Sequence, residues 1–168
     1  MVELGARLTE LLHTGAPWLG PLLALAAFAE SLVVIGLFVP VTPLLVALGA
    51  GMAGGLMSPD LLLWIMAGAF LGAFTSYEAG RQVRARGLAA PRLRPRARAA
   101  AEALFQRHGA VAIVVARFMG PPATVTPFLA GWSGVPRARF AIANAVASLA
   151  WPPAMLAVGV LGAWAFTR

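Results

Sequence analysis

The sequence predicts an all-α membrane protein made of two inverted repeats, each a proline-broken re-entrant helical hairpin followed by one transmembrane helix. Three observations predict this fold: the composition, the placement of the charged residues, and a proline motif that occurs twice. Of the 168 residues, 60% are hydrophobic and only 11% are charged, whereas a soluble domain carries roughly 25% charged residues. The composition therefore excludes a secreted soluble enzyme, a coiled coil and a disordered chain.

Reactive side chains are scarce in this chain. It contains no cysteine, and all 13 of its basic residues are arginine, so disulfides, thiolate catalysis, Schiff bases and a P-loop lysine are excluded. Neither His13 nor His108 lies deep in an apolar segment. We expect no metal, no cofactor and no enzymatic activity.

Two apolar segments are continuous enough to cross a bilayer, which takes roughly 20 residues of helix. Residues 61–80 meet this length narrowly, and residues 140–166 meet it easily. Pro152 and Pro153 lie in the second segment, and a transmembrane helix tolerates the kink that they predict.

Two other apolar segments, 17–57 and 109–135, are interrupted by prolines. Proline removes a backbone N–H donor and clashes with the preceding helical turn. Irregular backbone is tolerated at membrane depth only where it faces protein or a water-filled cavity. We interpret both segments as re-entrant hairpins, while noting that the leading arm of the first, 17–38, is long enough to cross alone.

The polar parts of the chain lie at its start and its centre. We predict that residues 1–15 form a short amphipathic helix on the membrane surface; the alternative is a frayed terminus. Residues 16–166 are predicted to form a single transmembrane domain. Its central part, 81–108, is predicted to be a linker and a surface helix. Residues 81–107 hold eight of the 13 arginines, which the positive-inside rule assigns to the cytoplasm. The alternative is a patch that binds lipid headgroups or nucleic acid; we expect contact with anionic lipid and no nucleic-acid partner.

The motif Val-Thr-Pro occurs at 41–43 and again at 125–127, in corresponding positions of the two halves. If the Arg-rich segment is cytoplasmic, residues 61–80 run inward and residues 140–166 run outward, so the halves are inverted and their hairpin tips meet near the midplane. Proline-interrupted segments in matching positions of two halves indicate a transporter binding site.

Two charges lie inside the broken segments, Glu30 and Arg117. Inserting a charged side chain at the centre of a membrane helix costs about 2.5–3.5 kcal/mol of free energy. The planar guanidinium of Arg117 suits a phosphate, and helix starts after Pro43 and Pro127 would add positive dipole ends. The alternative is a structural Glu30–Arg117 pair that locks one hairpin to the other. The predicted substrate-binding residues are Glu30, Arg117, Thr42, Thr124, Thr126, Pro40 and Pro127.

Several motifs together resemble the DedA family, the bacterial branch of the superfamily with the SNARE-associated or VTT domain. They are, in order, Phe28-Ala29-Glu30, Phe38-Val39-Pro40, Tyr77-Glu78-Ala79-Gly80-Arg81, Phe105-Gln106-Arg107-His108-Gly109, Ala116-Arg117-Phe118, Pro127-Phe128-Leu129-Ala130-Gly131, Pro136-Arg137-Ala138-Arg139-Phe140, Asn144 and Trp151. The chain departs from the family at Thr42 and Ala123, where a second acidic residue and a second arginine are usual.

The resemblance implies two facing re-entrant hairpins and translocation of undecaprenyl phosphate or a related phospholipid across the bacterial inner membrane, with coupling to protons. The expected partners are therefore an anionic lipid and the bilayer. Many family members carry an additional C-terminal helix that this sequence does not show. A homo-oligomer, in which a second copy takes the place of that helix, is therefore a further expectation. Two alternatives stay open: a proton- or ion-coupled exchanger that uses Glu30, and a non-transporting membrane organiser whose buried charge pair is structural.

Overall fold

The computed structural model describes residues 17–33, 35–38, 41–51, 59–88, 103, 107–109 and 111–166. All regular structure within them is helical. The helices are α1 (Leu19–Glu30), α2 (Val41–Gly51), α3 (Pro59–Ala85), α4 (Val111–Ala116), α5 (Pro121–Ser133) and α6 (Arg137–Phe166), with a 3₁₀ turn at Ile35–Leu37 between α1 and α2. The amphipathic segment predicted for residues 1–15, and most of the surface helix predicted before Gly109, lie outside the described residues.

The helices α3 and α6 are long and apolar enough to cross a membrane, over Asp60–Ala85 and Arg137–Ala165. Both extend beyond the predicted spans, so α3 carries Arg81 and Arg84 in its last turns. The outward face of α6 is as apolar as its inward face, which is typical of a helix in contact with lipid. Its exposed large residues include Ile142, Val146, Leu149, Val158 and Leu161.

The two long helices run in opposite directions. The side-chain amide of Asn144 in α6 donates to the carbonyl of Phe70 in α3 over 3.0 Å, and Arg137, the first residue of α6, bonds to Glu78 near the end of α3. Opposite directions are what two inverted halves require. The direction of each helix across a membrane stays a prediction.

The second segment breaks at Gly120 and Pro121, which are among the residues expected to interrupt it, whereas the first break lies before the proline motif. The first break lies between Glu30 and Val41, and the second lies between Ala116 and Pro121. Pro43 is the third residue of α2, where the missing N–H would have no partner in any case, and Pro127 lies inside α5. The predicted helix starts after Pro43 and Pro127 are therefore wrong.

Gly120 and Pro121 produce the second break instead. Gly120 has a φ of 68°, a left-handed conformation that an L side chain rarely adopts. Pro121 is the first residue of α5, the helical position that proline favours.

One helix of each half packs against the long helix of the other half. In the first half α1 packs against α3, whereas α2 packs against α6; in the second half α4 packs against α6, whereas α5 packs against α3. Thus the first arm of each broken segment contacts the long helix of its own half, and the second arm contacts the long helix of the other half.

Glycines allow the second arms, α2 and α5, to come into backbone contact with the long helices. In the α2–α6 contact, a methyl group on Gly49 would overlap the carbonyl of Leu156, and one on Gly159 would overlap the carbonyl of Val46. The α3–α5 contact repeats the arrangement with Gly80 and Gly131. Close packing through small residues is the usual way in which membrane helices associate.

Candidate functional site

Glu30 joins the two sides of the first break. It is the last residue of α1, and its Oε1 accepts hydrogen bonds from the backbone N–H of Thr42 over 3.1 Å and from the Thr42 hydroxyl over 3.0 Å. Thr42 is the second residue of α2, where backbone N–H groups have no partner within the helix. The carboxylate therefore caps α2 and holds its start against the end of α1.

Arg117 reaches the same break from the second half. It directly follows α4, and only 8% of its surface is exposed. Its Nη2 donates to the Ser31 hydroxyl oxygen over 3.0 Å, and its Cζ lies 4.6 Å from the ring centroid of Trp151. The indole ring provides a cation–π partner that partly replaces the water lost on burial.

Glu30 and Arg117 lie close together but form no direct ion pair, which corrects the predicted structural pair. Arg117 bonds instead to Ser31, the neighbour of Glu30, while Glu30 Oε1 accepts two bonds from Thr42. Within the described residues, Glu30 Oε2 and Arg117 Nε are buried without a hydrogen-bond partner. Such atoms are rare in proteins and require an explanation.

Ser76 on α3 anchors the first break from the opposite side. Its hydroxyl donates to the carbonyl of Ser31 over 3.0 Å and accepts from the N–H of Val33 over 3.2 Å. Nothing in the sequence distinguishes Ser76, since a lone serine in an apolar helix carries no functional signal.

Trp151 and Asn144, both motif residues of α6, lie inside the molecule. Trp151 is 2% exposed and forms part of the site under Arg117. Asn144 makes an interhelical hydrogen bond to the carbonyl of Phe70. Ser148 donates to Asn144 over 3.5 Å within α6 rather than to another helix.

The remaining predicted site residues lie on or near α5. Thr126 is buried, and its hydroxyl oxygen has no hydrogen-bond partner in the described part of the chain. Thr124 is buried with its methyl group close to Gly36 in the first break, Pro127 is a buried residue within α5, and Pro40 lies outside the described residues. The described residues contain no group of three carboxylates or histidines that could hold a metal ion.

The candidate site thus consists of one buried arginine and one carboxylate where the two helix breaks meet. The VTT domain family matches residues 21–162, a range that contains both breaks, all of α3 and most of α6. This chain belongs to the DedA family of VTT-domain proteins.

Named relatives of this DedA protein are inner membrane proteins of Escherichia coli. The chain is 31% identical over 142 residues to inner membrane protein YabI, covering 82% of the chain and 55% of that protein. It is 32% identical over 138 residues to inner membrane protein YghB, with 79% and 62% covered, and 31% identical over 138 residues to inner membrane protein YqjA, with 80% and 63% covered. No solved structure matches the chain. The protein is a membrane protein that spans less than two thirds of the length of these relatives.

Proposed function

We propose that this DedA protein translocates an anionic lipid across the membrane, with undecaprenyl phosphate or a related phospholipid as its substrate. One observation carries the proposal: Arg117 is 8% exposed, yet its Nε has no hydrogen-bond partner among the described residues. A buried charge with an unused donor is expensive to maintain in an apolar setting. An anion that binds there reversibly would accept a hydrogen bond from that donor.

The surroundings of Arg117 restrict how a phosphate can approach. Ser31 accepts from Nη2 and fixes the guanidinium plane, while Trp151 covers one face of it. A phosphate oxygen would therefore bind at the Nε edge, in the plane of the group, where charge-assisted bonds from arginine are strongest. The lipid tail would stay in the hydrocarbon.

Glu30 would respond to the charge of the substrate. A phosphate beside Arg117 adds negative charge near a carboxylate whose Oε2 is unpartnered, and like charges at short distance favour protonation of one of them. The carboxylate would take up a proton as the headgroup arrives and release it as the headgroup leaves. Direction then follows from the different affinities of the two conformations for the protonated and lipid-bound forms.

The decisive test compares leaflet exchange of labelled undecaprenyl phosphate in vesicles containing the wild type or Arg117→Ala. Exchange should fall at least about tenfold in the variant, since a charge-assisted hydrogen bond is worth about 1.5–3 kcal/mol and each 1.4 kcal/mol is a factor of ten. The matched control is Arg139→Ala, which removes an exposed arginine at the start of α6 and should leave exchange unchanged.

Unchanged exchange in folded Arg117→Ala would overturn the proposal. If that variant fails to fold, Arg117→Lys serves instead, since it keeps the positive charge but loses the planar fork. Exchange in this variant should also be slower than in the wild type.

A proton- or ion-coupled exchanger is a second candidate, favoured by the unpartnered Oε2 of Glu30. It would carry ions in vesicles free of the carrier lipid, and Glu30→Gln would abolish the pH-dependent part of that flux. Under this function, Arg117→Ala would have the smaller effect.

A non-transporting organiser is favoured by the two bonds from Thr42 to Glu30. In that case Glu30→Gln and Arg117→Ala would lower stability in detergent, and neither lipid nor ion flux would be measurable in the wild type.

A further inference from the structure

A second charged cavity lies at the Arg-rich end of α3, away from Glu30 and Arg117. Its volume is about 540 Å³, and Arg81, Arg84 and Arg137 line it together with the turn between α5 and α6. The turn is fixed by the Tyr77 hydroxyl, which donates to the carbonyl of Val135 over 2.6 Å. Ser76, which contacts the first break, and Arg84 are eight residues apart on α3, or about 12 Å along the axis.

The charge around this cavity is positive even after its one acid is counted. Glu78 accepts two bonds from Arg137, over 2.8 Å and 2.9 Å, and a weaker contact from Arg81 over 3.5 Å. Glu78 therefore contacts two of the three guanidinium groups that line the cavity. Arg84 makes no ion pair with any residue that the structure describes.

The turn between α5 and α6 is shaped around Arg84. Gly134 ends α5 with a φ of 84°, and a Cβ at this position would lie 2.9 Å from Cζ of Arg84 and overlap one of its terminal nitrogens. Glycine therefore serves two purposes here: it adopts the left-handed conformation, and it leaves room for the guanidinium against the backbone. The guanidinium of Arg84 thereby lies against the backbone of the turn that lines the cavity.

A second, smaller cavity shares Arg84 with the charged one. It has a volume of about 420 Å³, and it combines the apolar side chains of Leu88 and Trp132 with the polar Arg84 and Ser133. Tryptophan is typical of the membrane interface, where one end of a site is apolar and the other is wet. A headgroup phosphate joined to its glycerol and acyl chains fits arginines next to Leu88 and Trp132, whereas a free phosphate ion would leave Leu88 and Trp132 uncovered.

We propose that these two cavities bind one anionic phospholipid from the adjacent leaflet, with its phosphate between Arg84 and Arg81 and its glycerol and upper acyl chain against Leu88 and Trp132. Basic pockets between transmembrane helices are known to accept anionic headgroups. The site is separate from the one formed by Glu30 and Arg117 and does not depend on the transport function proposed above.

The test measures lipid retention by native mass spectrometry on the detergent-purified full chain, titrated with phosphatidylglycerol or with phosphatidylcholine. The wild type should bind one phosphatidylglycerol several-fold more tightly than phosphatidylcholine. Arg84→Ala should weaken phosphatidylglycerol binding about tenfold, the size expected for one charge-assisted contact. The matched control is Arg86→Ala, because Arg86 is exposed, lies just past the end of α3 and lines neither cavity.

Three results would overturn the assignment. Equal losses in Arg84→Ala and Arg86→Ala would indicate non-specific surface charge, and no loss in Arg84→Ala would mean that this arginine only caps the negative end of α5. Displacement of the lipid by millimolar inorganic phosphate would identify an ion site instead of a lipid site. Arg117→Ala should retain phosphatidylglycerol binding, which keeps this test independent of the transport site, and Arg84→Gln replaces Arg84→Ala if the latter does not fold.

Discussion

The two carboxylate oxygens of Glu30 have different surroundings. Oε1 caps α2 through Thr42, and Oε2 is buried without a partner in the described residues. Thr42 occupies a position where the DedA family usually has a second acid. A hydroxyl there donates to Glu30, whereas a carboxylate would repel it. Glu30 is therefore the one described acid at the first break, and any proton coupling at this break falls to it.

Proton uptake on lipid binding is expected to depend on Glu30. The incoming phosphate favours the protonated carboxylate, so binding of undecaprenyl phosphate should tighten as the pH falls and should take up about one more proton in the wild type than in Glu30→Gln. Calorimetric titration in two buffers of different ionisation enthalpy measures this difference.

Asp60→Asn is the control for that experiment, since Asp60 is an exposed acid at the start of α3. The Asp60→Asn variant should take up as many protons on lipid binding as the wild type does. Equal proton uptake in Glu30→Gln and the wild type would rule out Glu30 as the proton carrier.

The helices associate through backbone contact rather than through interlocking large side chains. Gly49 and Gly159 bring α2 onto α6, and Gly80 and Gly131 bring α5 onto α3. Apolar side chains gain little by leaving lipid for another apolar surface, so close van der Waals contact and hydrogen bonds have to stabilise such pairs. One of these arms, α2, carries Thr42, which bonds to Glu30, and the glycines of the α2–α6 contact therefore help to position the candidate site.

Gly49→Ala should destabilise the protein and Gly162→Ala should not. A methyl group on Gly49 would overlap the carbonyl of Leu156, whereas one on Gly162 would meet nothing within 4 Å. Overpacking costs about 1–3 kcal/mol, and alanine in place of a helical glycine gains roughly 0.5–1 kcal/mol.

Denaturant titration of both variants in the same detergent provides the measurement. Equal stability would show that α2 can move away from α6 without loss.

The exchange of arms makes each half incomplete without the other. The interior of one half is closed by an arm of its partner half, α2 against α6 and α5 against α3, and the site formed by Glu30 and Arg117 lies where the two halves meet. A relative movement of the halves would change the access to this site from either side. Such a movement is how many transporters with repeated halves expose a central site alternately.

Labelling of introduced cysteines tests the orientation of the halves. The natural chain has no cysteine, so single cysteines at Asp60, Arg86 and Arg139 report without background. We expect the cysteine at position 60 to react with a membrane-impermeant reagent from the outside, and those at positions 86 and 139 to react only from the cytoplasmic side. Labelling of positions 60 and 86 from the same side would contradict a membrane-spanning α3 and the inverted arrangement.

The sequence by itself determined the helical membrane class, the two long spans and the two charges of the site. These features follow from local composition: a run of apolar residues has to avoid water wherever it lies, and a charge within such a run requires a polar surrounding. The sequence therefore singled out Glu30 and Arg117, which the structure brings to the same break, and their role there stays a prediction.

Only the tertiary structure decided where the helices break and what each charge contacts. A proline motif does not reveal whether the missing N–H falls in a first turn, as at Pro43, or inside a helix whose neighbours support it, as at Pro127. Ser76 lies 45 residues from Ser31 along the chain, and Trp151 lies 34 residues from Arg117. Each pair meets because the first arm of a broken segment packs against the long helix of its own half. Pairwise contacts of this kind depend on how helices pack, and that packing is not encoded in any single segment.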